Sequence, residues 1–131
     1  MKDKLIHGEL SGKIINAAMF VLNELKPGLD EKIYENALVL ELEERGHHIQ
    51  QQKKHAVHFK GIEVGSLIPD LIVDDLVIVD PKVVTAINDH HIAQMTGYLA
   101  ITGLQLALLM NFKFARLNWK RVVRSFSAKS A

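Results

Sequence analysis

The chain has 131 residues, 48% hydrophobic and 24% charged, and its 16 Lys and Arg against 15 Asp and Glu give a formal net charge of +1. The length and composition predict one globular domain over residues 1–131. The near-zero net charge excludes a strong overall positive potential, which would by itself indicate nucleic-acid binding. Cysteine is absent, which excludes disulfides, thiolate metal sites and cysteine nucleophiles and favours a cytoplasmic location.

The first third of the chain has the pattern of two amphipathic helices. Apolar residues recur at helical spacing up to Pro27 and Gly28, which end the first helix and limit it to roughly residues 9–25. The second helix begins near Asp30, a favourable N-cap, and stops at Gly46. The sequence therefore predicts a helical hairpin.

Strand-like alternation replaces the helical pattern from His55 onward. A meander is predicted over residues 55–59 and 62–66, with a turn between them. Two β-rich runs follow, residues 67–73 and 76–84, and the Asp74-Asp75 pair between them favours a turn. The economical interpretation of these two runs is an antiparallel hairpin.

The last third predicts a helix and two strands. Asn88 or Asp89 caps a helix that runs to about Ile101, and the apolar run at 104–110 is typical of a central strand covered on both faces. That run is too short to span a bilayer, so no membrane insertion is expected. Residues 116–123 form a last, edge strand. With the meander written as one unit, the order is α-α-β-β-β-α-β-β, an α/β fold with a mixed central sheet flanked by helices.

The pattern that carries chemistry is Asp70 followed, after nine residues, by Asp80-Pro81-Lys82. Side chains two apart in a strand share a face, and a hairpin that pivots about Asp75 places Asp70 opposite Asp80 on that face. Opposed carboxylates repel each other unless a cation lies between them. The spacing therefore allows a divalent ion with oxygen ligands, Mg²⁺ or Mn²⁺, or an ordinary ion pair between Lys82 and an acid.

A set of short segments carries a resemblance to a known family. Residues 28–34 read G-x-x-E-x-x-Y, with Glu31 as the acid. The set continues in order through Phe59-Lys60-Gly61, Pro69-Asp70-Leu71, Val77-Ile78-Val79, Gln94-x-x-x-Tyr98 and Asn111-Phe112. It resembles the small prokaryotic GxxExxY proteins of the PD-(D/E)xK nuclease superfamily over nearly the whole chain.

The resemblance implies a restriction-endonuclease-like fold and a metal site. Asp70 and Asp80 match the metal-binding acids of the superfamily, and Glu31 matches the helical acid that completes the site. The alternative for Glu31 is an ordinary acid in the first turn of a helix. The backbone carbonyl of Pro81 is a further candidate ligand, and the implied cofactor is Mg²⁺ or Mn²⁺.

The resemblance also implies a catalytic lysine and a substrate. Lys82 matches the lysine that positions or activates water and offsets charge on the phosphate. Gln94 and Tyr98 match a Q-x-x-x-Y pair beside the site in some relatives, although Tyr98 also fits an ordinary core position. The implied activity is hydrolysis of a nucleic-acid phosphodiester, with DNA favoured over RNA.

One departure from the family pattern leaves a second interpretation open. Relatives typically have E-L-K where this chain has Asp80-Pro81-Lys82. Aspartate is one methylene shorter than glutamate, and proline removes a backbone donor from a strand. The alternative function is a catalytically inactive nuclease-fold module that binds nucleic acid or protein.

Basic residues crowd the C-terminal end of the chain. They are Lys113, Arg116, Lys120, Arg121, Arg124 and Lys129. Such a patch could hold phosphates, so Lys113, Arg116, Lys120 and Arg121 are predicted nucleic-acid contacts, with a solvated strand as the alternative.

The chain has seven histidines, among them the pairs His47-His48 and His90-His91. Adjacent residues diverge on a helix, so neither pair would form a bidentate zinc site there. A zinc site is therefore not predicted.

Overall fold

The structure is a computed structural model that describes residues 5–124. Three helices and seven strands form within this range. The helices are α1 (Gly8–Leu25), α2 (Glu31–Glu44) and α3 (Asp89–Thr102). The strands are β1 (Ile49–Gln51), β2 (His55–Phe59), β3 (Ile62–Leu67), β4 (Leu71–Val73), β5 (Val77–Lys82), β6 (Leu106–Asn111) and β7 (Asn118–Val123).

The two N-terminal helices form the predicted hairpin, and a tyrosine holds their connection. The buried Tyr34 hydroxyl donates to the Lys26 carbonyl at 2.6 Å and accepts from the Leu29 N–H at 3.1 Å. Its ring stacks on Phe112, with ring centroids 4.9 Å apart. Tyr34 therefore joins the helical connection to the residue that follows β6.

Five strands form a mixed sheet in the order β1-β4-β5-β6-β7, and β2 pairs with β3 in a separate two-stranded sheet. The β5–β6 pair is parallel and the other pairs of the main sheet are antiparallel. All six residues of β6 are buried, and β7 lies at the edge, as predicted for both strands. The α3 crossover connects β5 to β6. This architecture agrees with the predicted restriction-endonuclease-like class.

The prediction of one strand over residues 67–73 is wrong. Leu67 ends β3, and β4 begins only at Leu71. The chain changes sheets between these points, because β3 pairs with β2 whereas β4 pairs with β1 and β5. Pro69 has no N–H to give to either ladder, which suits it to this break. The three-residue strand β1 was not predicted, so five strands lie between α2 and α3.

Strand alternation divides the buried apolar residues between the two faces of the sheet. Val77 and Val79 of β5 pack in the cluster that includes α1 and α2. Ile78 packs in the other cluster, with Met95 of α3. Asp80 and Lys82 alternate in phase with Ile78, so both lie on the α3 face. No helix within residues 5–124 is long and apolar enough to cross a membrane.

Candidate active site

The β4–β5 hairpin has the predicted register. Leu71 pairs with Val79 and Val73 with Val77, which centres the hairpin on Asp75. Asp70 directly precedes β4, so continuing the register places it opposite Asp80. The structure therefore brings Asp70, Asp80 and Lys82 together at the open end of the hairpin.

Asp80 is the electrostatic centre of this end. It is only 5% exposed, and Lys82 Nζ lies 3.4 Å from its Oδ1 atom. Within the described part of the chain, Oδ1 is buried and has no hydrogen-bond partner. Burial and then the neighbouring Asp70 raise the pKa of Asp80 to about 7, against the opposing effect of Lys82. The positive charge of Lys82 therefore offsets only part of the cost of ionising Asp80.

Asp70 is held by one glutamine through two hydrogen bonds. The Gln52 N–H donates to the Asp70 carbonyl, and Gln52 Nε2 donates to Asp70 Oδ1, both at 3.0 Å. Gln52 directly follows β1 and has a positive φ of 57°, a conformation that turns the chain toward Asp70. These contacts fix both the backbone and the carboxylate of Asp70.

Glu35 supports this arrangement, and the sequence reasoning missed it. It is 3% exposed, and its Oε2 accepts from Gln51 Nε2 and Gln52 Nε2, both at 2.9 Å. Lys32 Nζ also lies 3.1 Å from that oxygen. Gln52 therefore bridges Glu35 and Asp70. The available signal was the position of Glu35 one turn after Glu31 in the same helix.

Glu31 reaches the same end of the sheet but makes a different contact. Its Oε1 accepts from the Val83 N–H at 3.1 Å, just beyond β5. Across residues 5–124, no group of three His, Cys, Asp or Glu side chains is placed to hold a metal ion. The structure thus leaves Glu31 outside a ready-made cluster with Asp70 and Asp80, and its role as a metal ligand remains a prediction.

Pro81 occupies a position where the sheet tolerates proline. The Lys82 carbonyl accepts from the Phe112 N–H at 2.8 Å and so points toward β6. Backbone groups alternate sides along a strand, which turns the Pro81 carbonyl toward the β4 side. The β4–β5 pairing ends at Val79, so the missing proline N–H removes no ladder bond there. The carbonyl is on the side of Asp70, as a candidate ligand must be.

Helix α3 brings three more side chains to this face. The pKa of Tyr98 is raised by burial and by the charges of Asp80 and Asp70, and lowered by Lys82 and a hydrogen bond with Gln94. Tyr98 is therefore within range of the charges of both acids, and Gln94 lies beside Tyr98. His91 was not predicted as a neighbour of the site. Its pKa is lowered by burial and then by Lys82, while its Nδ1 accepts from the Asn88 N–H at 3.1 Å.

The signal for His91 was present in the Asn88-x-x-His91 spacing. Asn88 Oδ1 accepts from the His91 N–H at 3.0 Å, which completes a reciprocal cap at the start of α3. The capped His91 ring is within range of the Lys82 charge. Considering the histidine only as half of a zinc pair missed this contact.

The predicted basic contacts divide into two groups. Lys113, Arg116 and Lys120 are exposed. Arg121 instead donates to Ser11 Oγ at 2.8 Å and to the Ile6 carbonyl at 2.7 Å, so its guanidinium joins β7 to α1. Lys129 lies outside the described residues. Nucleic-acid contact by any of these residues remains a prediction.

The donor set at the open end fits a hard divalent cation. Asp70 and Asp80 offer carboxylate oxygens, and the buried Asp80 Oδ1 has no hydrogen-bond partner among the described residues. Mg²⁺ and Mn²⁺ prefer oxygen ligands of this kind, and a cation would offset the repulsion that raises the Asp80 pKa. Two carboxylates leave room for water or phosphate oxygens as further ligands.

Comparison with known proteins agrees with this geometry. A sequence model of the PD-(D/E)XK nuclease superfamily matches residues 8–122. The chain belongs to the PD-(D/E)XK nuclease superfamily. No curated protein matches it, and no solved structure does. The superfamily assignment supports a nuclease-type fold, nucleic acid as the class of substrate, and divalent metal as the typical cofactor.

Proposed function

We propose that this protein is a metal-dependent phosphodiester hydrolase that acts on nucleic acid, with DNA the favoured substrate, and that it belongs to the GxxExxY group of its superfamily. The observation that carries the proposal is Asp80. It is a buried acid opposite a second acid, its pKa is raised to about 7, and its Oδ1 lies 3.4 Å from the Lys82 ammonium. Such an acid is expected where a cation binds.

The proposed roles follow from position. Asp70 and Asp80 would hold Mg²⁺ or Mn²⁺, with the Pro81 carbonyl and Glu31 as further ligands. When bound, the ion lowers the pKa of water and screens the phosphate. Lys82 stabilises the negative charge that grows on the phosphate, and Gln94 orients water or substrate beside it.

A second candidate function is a catalytically inactive nuclease-fold module. Two features favour it: the Asp80-Pro81-Lys82 variant, and the separation of Glu31 from a three-acid cluster in the described chain. Such a module would bind nucleic acid or protein without cleavage.

Cleavage of labelled DNA and RNA tests the two functions. Single-stranded, duplex and branched substrates are incubated with Mg²⁺, with Mn²⁺ and with EDTA. Metal-dependent product from the wild type supports the hydrolase. The double variant Asp80→Glu with Pro81→Leu recreates the family pattern as a positive control. Binding without cleavage by the wild type, together with cleavage by the double variant, would support the inactive module instead.

A further inference from the structure

A groove of about 570 Å³ opens beside the start of α3. Its walls come from the loop after β5, the start of α3, and the chain from the last residue of β6 to the first half of β7. The side chains that matter here are Ile87, Ile92, Asn111, Phe114, Arg116 and Lys120. Among the described residues that line the groove, two are cationic and none is Asp or Glu.

The groove adjoins the proposed catalytic lysine. Lys82 pairs with Asn111 across the parallel β5–β6 ladder, at the spacing of neighbouring strands, about 4.8 Å. Asn111 Oδ1 accepts from the Val84 N–H at 3.2 Å, and its Nδ2 donates to the Val84 carbonyl at 2.8 Å. Asn111 thus lines the groove and also fixes the backbone of Val84, two residues after Lys82.

The sheet register relates the cations to the acids. Asp80 pairs with Leu109, and Leu109 pairs with Lys120. Lys120 therefore lies in the row of Asp80, two strand spacings or about 10 Å away. Leu109 lies between them and is buried against α3, so this row gives the distance between the two sites and not a surface path.

The lining combines charge with an exposed ring. Arg116 and Lys120 complement phosphates, and Phe114 is 45% exposed at the same groove. An aromatic face beside cations is the usual platform for an unpaired base. A duplex keeps its base faces stacked inside, so it offers a concave groove only its backbone and base edges.

We infer that this groove binds an unpaired nucleotide next to the scissile bond, with Phe114 stacked on the base and Arg116 and Lys120 on the flanking phosphates. The inference rests on the proposed function for the scissile bond, and it narrows the substrate to nucleic acid with a single-stranded segment. Binding itself needs no metal.

Fluorescence anisotropy in EDTA measures this binding without cleavage. The probe is labelled oligothymidylate of about ten nucleotides, a length that one small domain can cover. Phe114→Ala should weaken binding roughly 5- to 150-fold, the effect of one base–aromatic stack. Phe114→Leu keeps apolar bulk without the ring face and should also weaken it. The matched control is Phe59→Ala, because Phe59 is 64% exposed on β2, outside the groove.

Salt dependence tests the two cations. Arg116→Ala and Lys120→Ala should each reduce the magnitude of the slope of log affinity against log salt by about 0.7, as expected for one phosphate contact to a single strand. Lys60→Ala is the control, because Lys60 is exposed at the β2–β3 turn. The control should keep the wild-type slope.

Three results would overturn the inference. They are equal affinity of Phe114→Ala and Phe59→Ala, unchanged slopes in both cation variants, and duplex affinity equal to that for the single strand. Melting temperatures of all variants show whether a loss of affinity comes from unfolding. If Phe114→Ala is unfolded, the affinity of Phe114→Leu is compared with that of Phe59→Ala instead. If the groove variants bind normally and metal-dependent cleavage persists, the groove is not the nucleotide-binding site, but the proposed hydrolase function stands.

Discussion

The two ends of the β4–β5 hairpin each carry a pair of aspartates, and one aspartate of each pair has a shifted pKa, lowered at the turn and raised at the open end. At the turn, Asp74 Oδ2 lies 2.7 Å from His47 Nδ1, and Asp74 Oδ1 accepts from the His48 N–H at 2.8 Å. Burial raises the pKa of Asp74, but these contacts outweigh it and lower the pKa below 3.8. At the open end, burial and Asp70 raise the pKa of Asp80 to about 7.

The contrast is between an acid whose charge the fold stabilises and an acid whose charge it disfavours. Both aspartates belong to the same short hairpin, so strand geometry alone does not explain the difference. Asp74 has donors that stabilise its charge. Asp80 faces another acid, and among the described residues Lys82 is the group that favours its ionised form. An acid kept in an unfavourable environment indicates selection for something other than stability.

The largest effect is expected for Lys82→Ala. Lys82 is the cation of the open end, and its loss should reduce metal-dependent cleavage about 10²- to 10³-fold, as for removal of one group that stabilises transition-state charge. The measurement is the single-turnover rate on the best substrate. Equal rates for the wild type and Lys82→Ala would refute the assigned mechanism. Lys60→Ala controls for the loss of a positive charge.

The pH dependence of stability should show the raised pKa of Asp80. Because the folded pKa of about 7 exceeds the ordinary value of 3.8, the native state binds more protons than the unfolded state between them. The free energy of unfolding of the metal-free protein therefore falls as pH rises from about 4 to about 7, on the order of 2–4 kcal/mol from this group. Asp80→Asn removes this titration.

Urea denaturation in EDTA at several pH values tests this expectation. The difference between the wild-type and Asp80→Asn profiles isolates the group, since other acids titrate in both proteins. Asp80→Asn should be the more stable protein at pH 8. A difference that does not change between about pH 4 and pH 7 would contradict the raised pKa.

The turn end should respond in the opposite sense. Asp74→Ala removes two hydrogen bonds and places alanine at a φ of 53°, so it should cost about 1–3 kcal/mol at pH 7. The lowered pKa means that the contribution of Asp74 is present above its unfolded pKa and is lost as pH falls through the folded value.

Asp74→Asn is the matched control for the turn. Asparagine tolerates positive φ and can still accept from the His48 N–H, so its cost should be smaller. Denaturation at a series of falling pH values compares the two variants with the wild type. A loss that does not decrease once the pH has fallen through the folded pKa of Asp74 would mean that the Asp74 charge contributes nothing.

The sequence was sufficient for the hairpin register and for the meeting of Asp70, Asp80 and Lys82. The aspartate pair marks the turn, and a hairpin centred on Asp75 fixes which residues of the two strands pair. The break at residues 68–70 was not predictable in this way, because it depends on which sheet each strand joins. β1 was missed because three residues are too few for a periodic pattern.

The support around the acids was harder to predict. Gln52 meets Glu35 because α2 packs against β1, and it meets Asp70 because β1 pairs with β4, but β1 itself was missed. Arg121 has the charge of a phosphate ligand, but its contacts with Ser11 and Ile6 depend on how α1 crosses β7. Long-range packing decides both cases, and a local pattern does not contain it.

The smallest expected effect is the stabilisation of the wild type by metal. A cation that binds only the folded state at ten times its dissociation constant adds about 1.4 kcal/mol to the free energy of unfolding. Mg²⁺ or Mn²⁺ should therefore raise the wild-type melting temperature, and Asp70→Asn should respond much less because it loses one of the two opposed carboxylates. Asp74→Asn should respond like the wild type, since Asp74 belongs to the turn end. Isothermal titration calorimetry of the three proteins provides the affinities. An undiminished response in Asp70→Asn would mean that the ion binds at another site. If the wild type bound no metal at millimolar concentration, the raised pKa of Asp80 would not reflect a metal site.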